Sequence, residues 1–255
     1  MRVPDLKKWK PEGRRVAMLT AYDAPMARTF DEAGVDVILV GDSLGMTVLG
    51  YDTTIPVTLD DIAYHTGTVA RVTERALVVA DMPFLTYQTG HALENAGELM
   101  RAGAAAVKVE GGGPVVDTVK QLVESGIPVM GHVGLTPQSV HQLGGLRLQG
   151  RSDEAVEEMV AVANDLEAAG AFSIVVECVP HEAAKKVPEA VSIPTIGIGA
   201  GPHWDGQVLV AHDMLGMQEW SPKFAKRYAE LGQQMAEAAQ AYCEEVRDGS
   251  FPADG

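Results

Sequence analysis

Eight short apolar runs recur along the chain, at about residues 16–22, 35–42, 76–81, 104–110, 128–132, 172–178, 194–199 and 208–212. Most are bounded by Gly or Pro, and segments of helical periodicity separate them. Thr58-Leu59-Asp60-Asp61 has the form of a capping box and predicts a helix through about Val72. Ser152-Asp153-Glu154 opens another, which Gly170 stops after about Ala169. Leu93 to Met100 and Val115 to Val123 fill two further gaps, and Lys223 to Val246 predicts a long amphipathic helix with Phe224, Tyr228, Leu231, Met235 and Tyr242 near one stripe. Eight β units with helices between them predict an α/β fold, a (β/α)8 barrel forming a single domain over residues 1–255 with a C-terminal helix. The alternative is an open doubly wound sheet. That fold usually has fewer strands and a Gly-rich turn after the first, whereas Tyr22-Asp23-Ala24-Pro25 has no glycine. Between the seventh and eighth runs, Pro202 to Gly206 leaves no room for a full helix.

The polar positions break this pattern in one place, the ends of strands. Val107-Lys108-Val109-Glu110 puts a cation and an anion two residues apart, so both point to one face. Charges in a strand interior are costly unless something binds them. Val40-Gly41-Asp42-Ser43, Ala80-Asp81-Met82 and Val176-Glu177-Cys178 repeat the feature. Four apolar strands tipped with charge point to one polar site at one end of a parallel sheet. Two long connections, Leu44 to Val57 and Pro137 to Arg151, follow strand ends on that same side, where long loops tend to be functional. Gly144-Gly145 and Gly150 would let the second close over the site.

Composition narrows the partners. The formal net charge is −15, which disfavours nucleic acid and anionic membrane, both of which need a basic surface. A small anionic substrate needs only local positive charge. Cys178 and Cys243 are far apart, with no disulfide framework or zinc spacing, so reduced thiols in a cytoplasmic setting are the plain reading. Met1 to Arg15 is charged and lacks the apolar core of an export signal, and no run reaches the length of a membrane span.

Asp42, Asp81 and Glu110 are hard oxygen donors with no accompanying His or Cys pair, a set that suits Mg2+. Asp42 as a loop cap and Asp81 as a turn residue is the plainer reading of each acid alone. Lys108 beside a metal can offset charge on a carboxylate or enolate oxygen. It also reads as a salt bridge to Glu110, or as a Schiff-base lysine, although the surrounding acids would hold it charged and poorly nucleophilic. Glu177 reads as a general base, or as a partner for a nearby Arg or backbone amide. His132 reads as a site residue or as a structurally satisfied histidine. Cys178 points away from Glu177 by alternation and reads as buried packing. Gly197 to Gly201 would admit a flat or anionic ligand, or serve packing alone.

Several blocks in order resemble the ketopantoate hydroxymethyltransferase family. They include Leu19 to Asp23, Val40-Gly41-Asp42-Ser43-Leu44-Gly45-Met46, Asp61 to His65, Gly131 to Ser139, Glu177-Cys178-Val179-Pro180, Gly197 to Gly201 with Asp205-Gly206-Gln207, and Pro222 to Lys226. The resemblance implies a barrel of the phosphoenolpyruvate/pyruvate type that binds Mg2+ and a branched 2-oxo acid. By it, Asp42, Asp81 and Glu110 fall on the metal ligands, and Asp42, Ser43, Asp81 and Lys108, with His132 beside them, on the oxo-acid site. Glu177 falls on the proton acceptor. It further implies methylene-tetrahydrofolate as cosubstrate, an early step of pantothenate synthesis, and a large homo-oligomer, typically a decamer. Leu143 to Arg151 departs from the family pattern in carrying leucines where aromatics are expected. A metal-dependent lyase or aldolase on the same barrel would share the enolate site, but the Lys-x-Cys-Gly-His loop usual in such lyases does not occur. From another class, an inactive metabolite-binding barrel would have no need of the charged set.

Overall fold

The computed structural model describes residues 1–253 except 89 and 182. Its elements run α1 (Val3–Trp9), β1 (Val16–Thr20), α2 (Ala24–Glu32), β2 (Val37–Val40), α3 (Leu44–Thr47), α4 (Leu59–Ala70), β3 (Leu77–Asp81), α5 (Ala92–Ala102), β4 (Ala106–Glu110), α6 (Pro114–Glu124) and β5 (Val129–Gly134). After a 3-10 turn (Pro137–Ser139) come α7 (Val140–Leu143), α8 (Asp153–Ala168), β6 (Ser173–Glu177), α9 (Ala183–Ala190), β7 (Thr195–Ile198), β8 (Gly206–Leu209), α10 (Ala211–Met214) and α11 (Leu231–Asp248). The eight strands close into a parallel barrel in sequence order. The chain packs as two compact units, residues 1–208 and 209–255. Among the described residues no helix is long and apolar enough to cross a membrane.

Local chemistry explains why these segments fold as they do. Asp23 caps α2, its Oδ1 accepting from the Met26 N–H at 2.8 Å, with Pro25 set for the first turn. Thr58 and Asp61 form the capping box of α4: Asp61 N–H donates to Thr58 Oγ1 at 3.2 Å and Thr58 N–H to Asp61 Oδ2 at 2.9 Å. Both faces of β2 to β7 are covered, so these strands are apolar almost throughout, whereas β1 and β8 expose Ala17 and Gln207. Outward residues pack under helices that bury Ile62, Leu99, Leu122 and Leu166. Inward residues, among them Val16, Met18, Val37, Val79, Met130 and Ile196, form one core, and Leu6 and Trp9 of α1 join it.

Two elements differ from the sequence expectation. The eighth strand is Gly206–Leu209 rather than 208–212, because Val210 already caps the short α10. Gly206 belongs to the strand because a Cβ there would lie 2.6 Å from the Val16 carbonyl oxygen, so only glycine brings β8 that close to β1. The last long helix starts at Leu231, not near 223. Residues 218–230 instead fold around the Arg227 guanidinium, which donates to the Gln218 and Glu219 carbonyls at 3.0 and 2.9 Å, and to Ser221 Oγ and Glu230 Oε2. Phe224 and Tyr228 therefore precede the helix rather than extend its stripe.

Candidate active site

The barrel interior changes character at the C-terminal ends of the strands. Where β3 to β6 carry Val79, Ala106, Met130 and Val175 into the core, the next positions on the same face carry Asp81, Lys108, His132 and Glu177. Asp81 lies opposite Lys108 in the β3–β4 register, and Glu110 opposite His132 in the β4–β5 register. Asp42, Asp81, Lys108, Glu110 and His132 are each at most 5% exposed, which makes this a buried charge layer and not a solvated rim.

The Lys108 ammonium sits 2.9 Å from Asp81 Oδ1 and 3.4 Å from Glu110 Oε1. His132 Nδ1 donates to Glu110 Oε1 at 3.1 Å, and its Nε2 lies 3.3 Å from Glu177 Oε2, an ion-pair distance without in-line hydrogen-bond geometry. One imidazole thus spans from the β4 acid to the β6 acid. Asp42 stands at the end of β2, where its N–H donates to Asp81 Oδ2 at 3.0 Å. A Cβ built on Gly41 would lie 3.0 Å from Ser43 Oγ and 3.3 Å from Asp81 Oδ2, so the glycine keeps the space between them clear. Ser43 itself is held by Tyr22, whose hydroxyl lies 2.7 Å from Ser43 Oγ.

Burial and mutual repulsion set the protonation states. Burial, then the charges of Asp81 and Glu110, push Asp42 well above the usual carboxylate range. Burial also raises Asp81, with Lys108 opposing and Glu110 adding to the effect. Glu110 is likewise disfavoured by burial, but Lys108 and His132 outweigh this and bring it down to about 2. Burial and Lys108 act against a cation on His132, yet Glu110 and Glu177 prevail and push it up to about 9. Lys108 is raised by Asp81, Glu110 and Asp42 despite its burial, so it stays an ammonium. A charged, hydrogen-bonded lysine does not fit a Schiff-base role.

The sequence-derived residues therefore meet at one place, except that Ser43 joins through Tyr22 and the Gly41 gap. Cys178 is half-buried rather than fully packed away. It takes the left-handed region (φ 48°), and burial and the neighbouring Glu177 push its thiol up to about 12, so it remains unreactive. Gly197, within β7, serves packing: a Cβ there would lie 2.2 Å from the Trp204 ring. Three further residues are part of the site. Gln138 Nε2 donates to Asp42 Oδ2 at 2.8 Å, and its main-chain N–H donates to Glu110 Oε2 at 3.1 Å. The Tyr87 hydroxyl accepts from the Glu110 N–H at 3.1 Å and donates to Gln138 Oε1 at 2.8 Å. His65 Nδ1 lies 2.6 Å from the Tyr22 carbonyl oxygen and fixes the segment that carries Tyr22. Gln138 is visible in the sequence only as a polar residue after Pro137 in the Gly131 to Ser139 block. Nothing local marks Tyr87.

Among the described residues no group of three or more His, Cys, Asp or Glu side chains forms a ready-made cage for a metal ion. The Lys108 ammonium lies between two of the acids, and Gln138 holds the third.

The closed parallel barrel is similar in fold to solved proteins that include a member of the phosphoenolpyruvate mutase/isocitrate lyase superfamily. The fold matches 2,3-dimethylmalate lyase, a member of that superfamily, with a TM-score of 0.61 at 18% identity, over 99% of this chain and 90% of that one. It also matches phosphonopyruvate hydrolase, solved with oxalate and Mg2+, with a TM-score of 0.65 at 14% identity, over 98% of this chain and 88% of that one. The sequence is more specific than the fold: residues 1–254 match the ketopantoate hydroxymethyltransferase family, and the chain belongs to it. The 3-methyl-2-oxobutanoate hydroxymethyltransferase of Pyrobaculum calidifontis is 58% identical over 241 residues, 94% of this chain and 91% of that protein. That of Geobacter metallireducens is 51% identical over 255 residues, 98% of this chain and 96% of that protein. The chain is accordingly an enzyme of the hydroxymethyltransferase type.

Proposed function

We propose that the chain transfers a hydroxymethyl group from methylene-tetrahydrofolate to C3 of 3-methyl-2-oxobutanoate, giving ketopantoate for pantothenate synthesis, through the enolate of the oxo acid. The observation that carries this reading is the buried line Asp81–Lys108–Glu110–His132–Glu177, with Asp42 beside it. It pairs a hard-oxygen anion-rich face with a carboxylate held a short distance away by a single imidazole.

The donor set fits Mg2+. Three buried carboxylates face one lysine, and burial and repulsion leave Asp42 short of compensating charge. Mg2+ is usually held by one or two carboxylates plus water and substrate, not by an all-protein cage. Asp42 and Asp81 would hold it, with Glu110 as the third acid, and it would polarise the keto oxygen and so acidify the C3 hydrogen. The chain's own groups do the rest. Ser43 and Lys108 receive the oxo acid, Lys108 placing a permanent positive charge where the keto oxygen becomes an enolate. Glu177 takes the C3 proton, and the His132 cation orients its carboxylate. Water hydrolyses methylene-tetrahydrofolate to tetrahydrofolate and formaldehyde; the C3 carbanion equivalent then adds to the formaldehyde carbon, whose oxygen takes up a proton and becomes the hydroxyl of ketopantoate. Folate is thus a cosubstrate. We further propose that the protein acts in the cytoplasm as a homo-oligomer, probed by light scattering against the 27.1 kDa chain mass.

Turnover separates the readings. With Mg2+, 3-methyl-2-oxobutanoate and methylene-tetrahydrofolate, NMR should show ketopantoate; with folate omitted, only exchange of the C3 hydrogen. Absence of ketopantoate with every component present would refute the reading, and C–C cleavage of a malate-type substrate would favour a lyase.

A further inference from the structure

We propose that Gln138 is the positioning residue that sets the metal-binding face of Asp42. The inference rests on the reading that Asp42 and Asp81 hold the cation. Gln138 is 3% exposed and all its side-chain polar atoms are engaged. Its Nε2 carries two hydrogens, one donated to Asp42 Oδ2 at 2.8 Å and one to the Met82 carbonyl at 3.0 Å. Its Oε1 accepts from the Tyr87 hydroxyl at 2.8 Å. The network assigns a single amide orientation, since the reverse would set an oxygen against two oxygens. A donor therefore always faces Asp42 Oδ2. Oδ1, which no protein donor reaches among the described residues, is the oxygen left for a ligand. The Gln138 main-chain N–H holds Glu110 Oε2 at 3.1 Å. One residue, at the start of the turn after β5, thus fixes acids from β2 and β4. Partners that orient metal ligands are typically worth 10–100-fold in metal affinity.

The test is Mn2+ binding to the full-length metal-free chain, followed by electron paramagnetic resonance and needing no turnover. Gln138→Met keeps the side-chain length and removes both donors. Its Kd for Mn2+ should rise by about 10–100-fold. A folded Gln138→Met with parental Kd and only a lower melting temperature would mark a packing residue and overturn the proposal. Should this variant fail to fold, Tyr87→Phe replaces it. Loss of the hydroxyl that fixes the amide should weaken Mn2+ binding several-fold, and unchanged binding would equally overturn the proposal. Asp42→Asn and Asp81→Asn tell the two levels apart. If they bind Mn2+ as the parent does, the metal reading fails. If they lose Mn2+ while Gln138→Met keeps it, only the role of Gln138 falls.

Discussion

Lys108 faces more carboxylate than one ammonium can neutralise, and the excess is borne unevenly. Glu110, touched by Lys108 and His132, is the acid whose ionised form is favoured; burial opposes the ionised form of Asp81 even with Lys108 beside it, and that of Asp42, which touches neither cation, is opposed as well. This difference has a consequence for stability in the absence of metal. A group whose folded pKa lies above its unfolded value contributes stability at low pH and loses it as pH rises into that interval. For Asp42 the interval opens above 3.8 and extends upward. Replacing it by Asn, whose amide oxygen can still accept from Gln138, removes the penalty. Metal-free Asp42→Asn should melt at or above the parent temperature, and its advantage should widen as pH is raised from 5 to 8. Calorimetry over that range checks it; a variant that loses stability relative to the parent with rising pH would contradict the assignment. The same variant should lose the stabilisation that Mg2+ gives the parent by binding the folded state.

At the scale of elements, the ends of β5 and β6, which bear His132 and Glu177, are tightly coupled. Gly134 closes β5 at φ 90°, and a Cβ there would lie 2.3 Å from the Glu177 carbonyl oxygen. Gly134→Ala should cost about 2 kcal/mol or more, since an L residue in that region costs ~1–2 kcal/mol before any clash. What survives folding should lose kcat more than KM, because the displaced strand end carries Glu177. A thermal melt and steady-state kinetics check both. The connection after β5 is fastened at both ends, by Gln138 to the acids and by the Gln149 N–H to the Cys178 carbonyl at 2.9 Å. Closure over the site therefore belongs to its middle, where Leu146 is 55% exposed next to Gly144-Gly145. Trypsin should cut at Arg147, and Mg2+ with oxo acid together should slow that cut. Equal rates with and without them would argue against a lid.

These elements also show what a sequence discloses. A buried parallel strand announces itself by apolar continuity, so each of the eight strands lies within a few residues of the run that predicts it, and the charged tips stand out against that background. The eighth is displaced most, sharing only Val208 and Leu209 with its run, because its boundary depends on a glycine approaching β1 and on a helix turn that follows without a polar break. The start of α11 is hidden for a related reason: helical periodicity continues through residues 223–230, but the Arg227 guanidinium binds their flanking carbonyls. Asp42, Asp81, Lys108, Glu110 and Glu177 were legible as charges out of place. Gln138 and Tyr87 were not, since their roles arise from contacts 51 residues apart with each other and 96 residues from Gln138 to Asp42.

Across the whole molecule, stability and chemistry occupy different levels of one barrel. The floor is a closed apolar core capped by Leu6 and Trp9, and each fully buried large side chain there contributes roughly 1.5–3 kcal/mol. That surplus lets the upper layer carry buried charge that no packing argument would favour. In the proposed reaction a proton is drawn from a small acid by Glu177, and that is the central claim. Its most direct test is exchange of the C3 hydrogen of 3-methyl-2-oxobutanoate in deuterated water, followed by NMR with Mg2+ present and folate omitted. Glu177→Gln keeps shape and hydrogen bonding but cannot take up the proton as a carboxylate does. At matched saturation, with Mg2+ and oxo acid still bound, exchange should fall by about a hundredfold or more. Undiminished exchange in Glu177→Gln would contradict the account and place the base elsewhere in the layer.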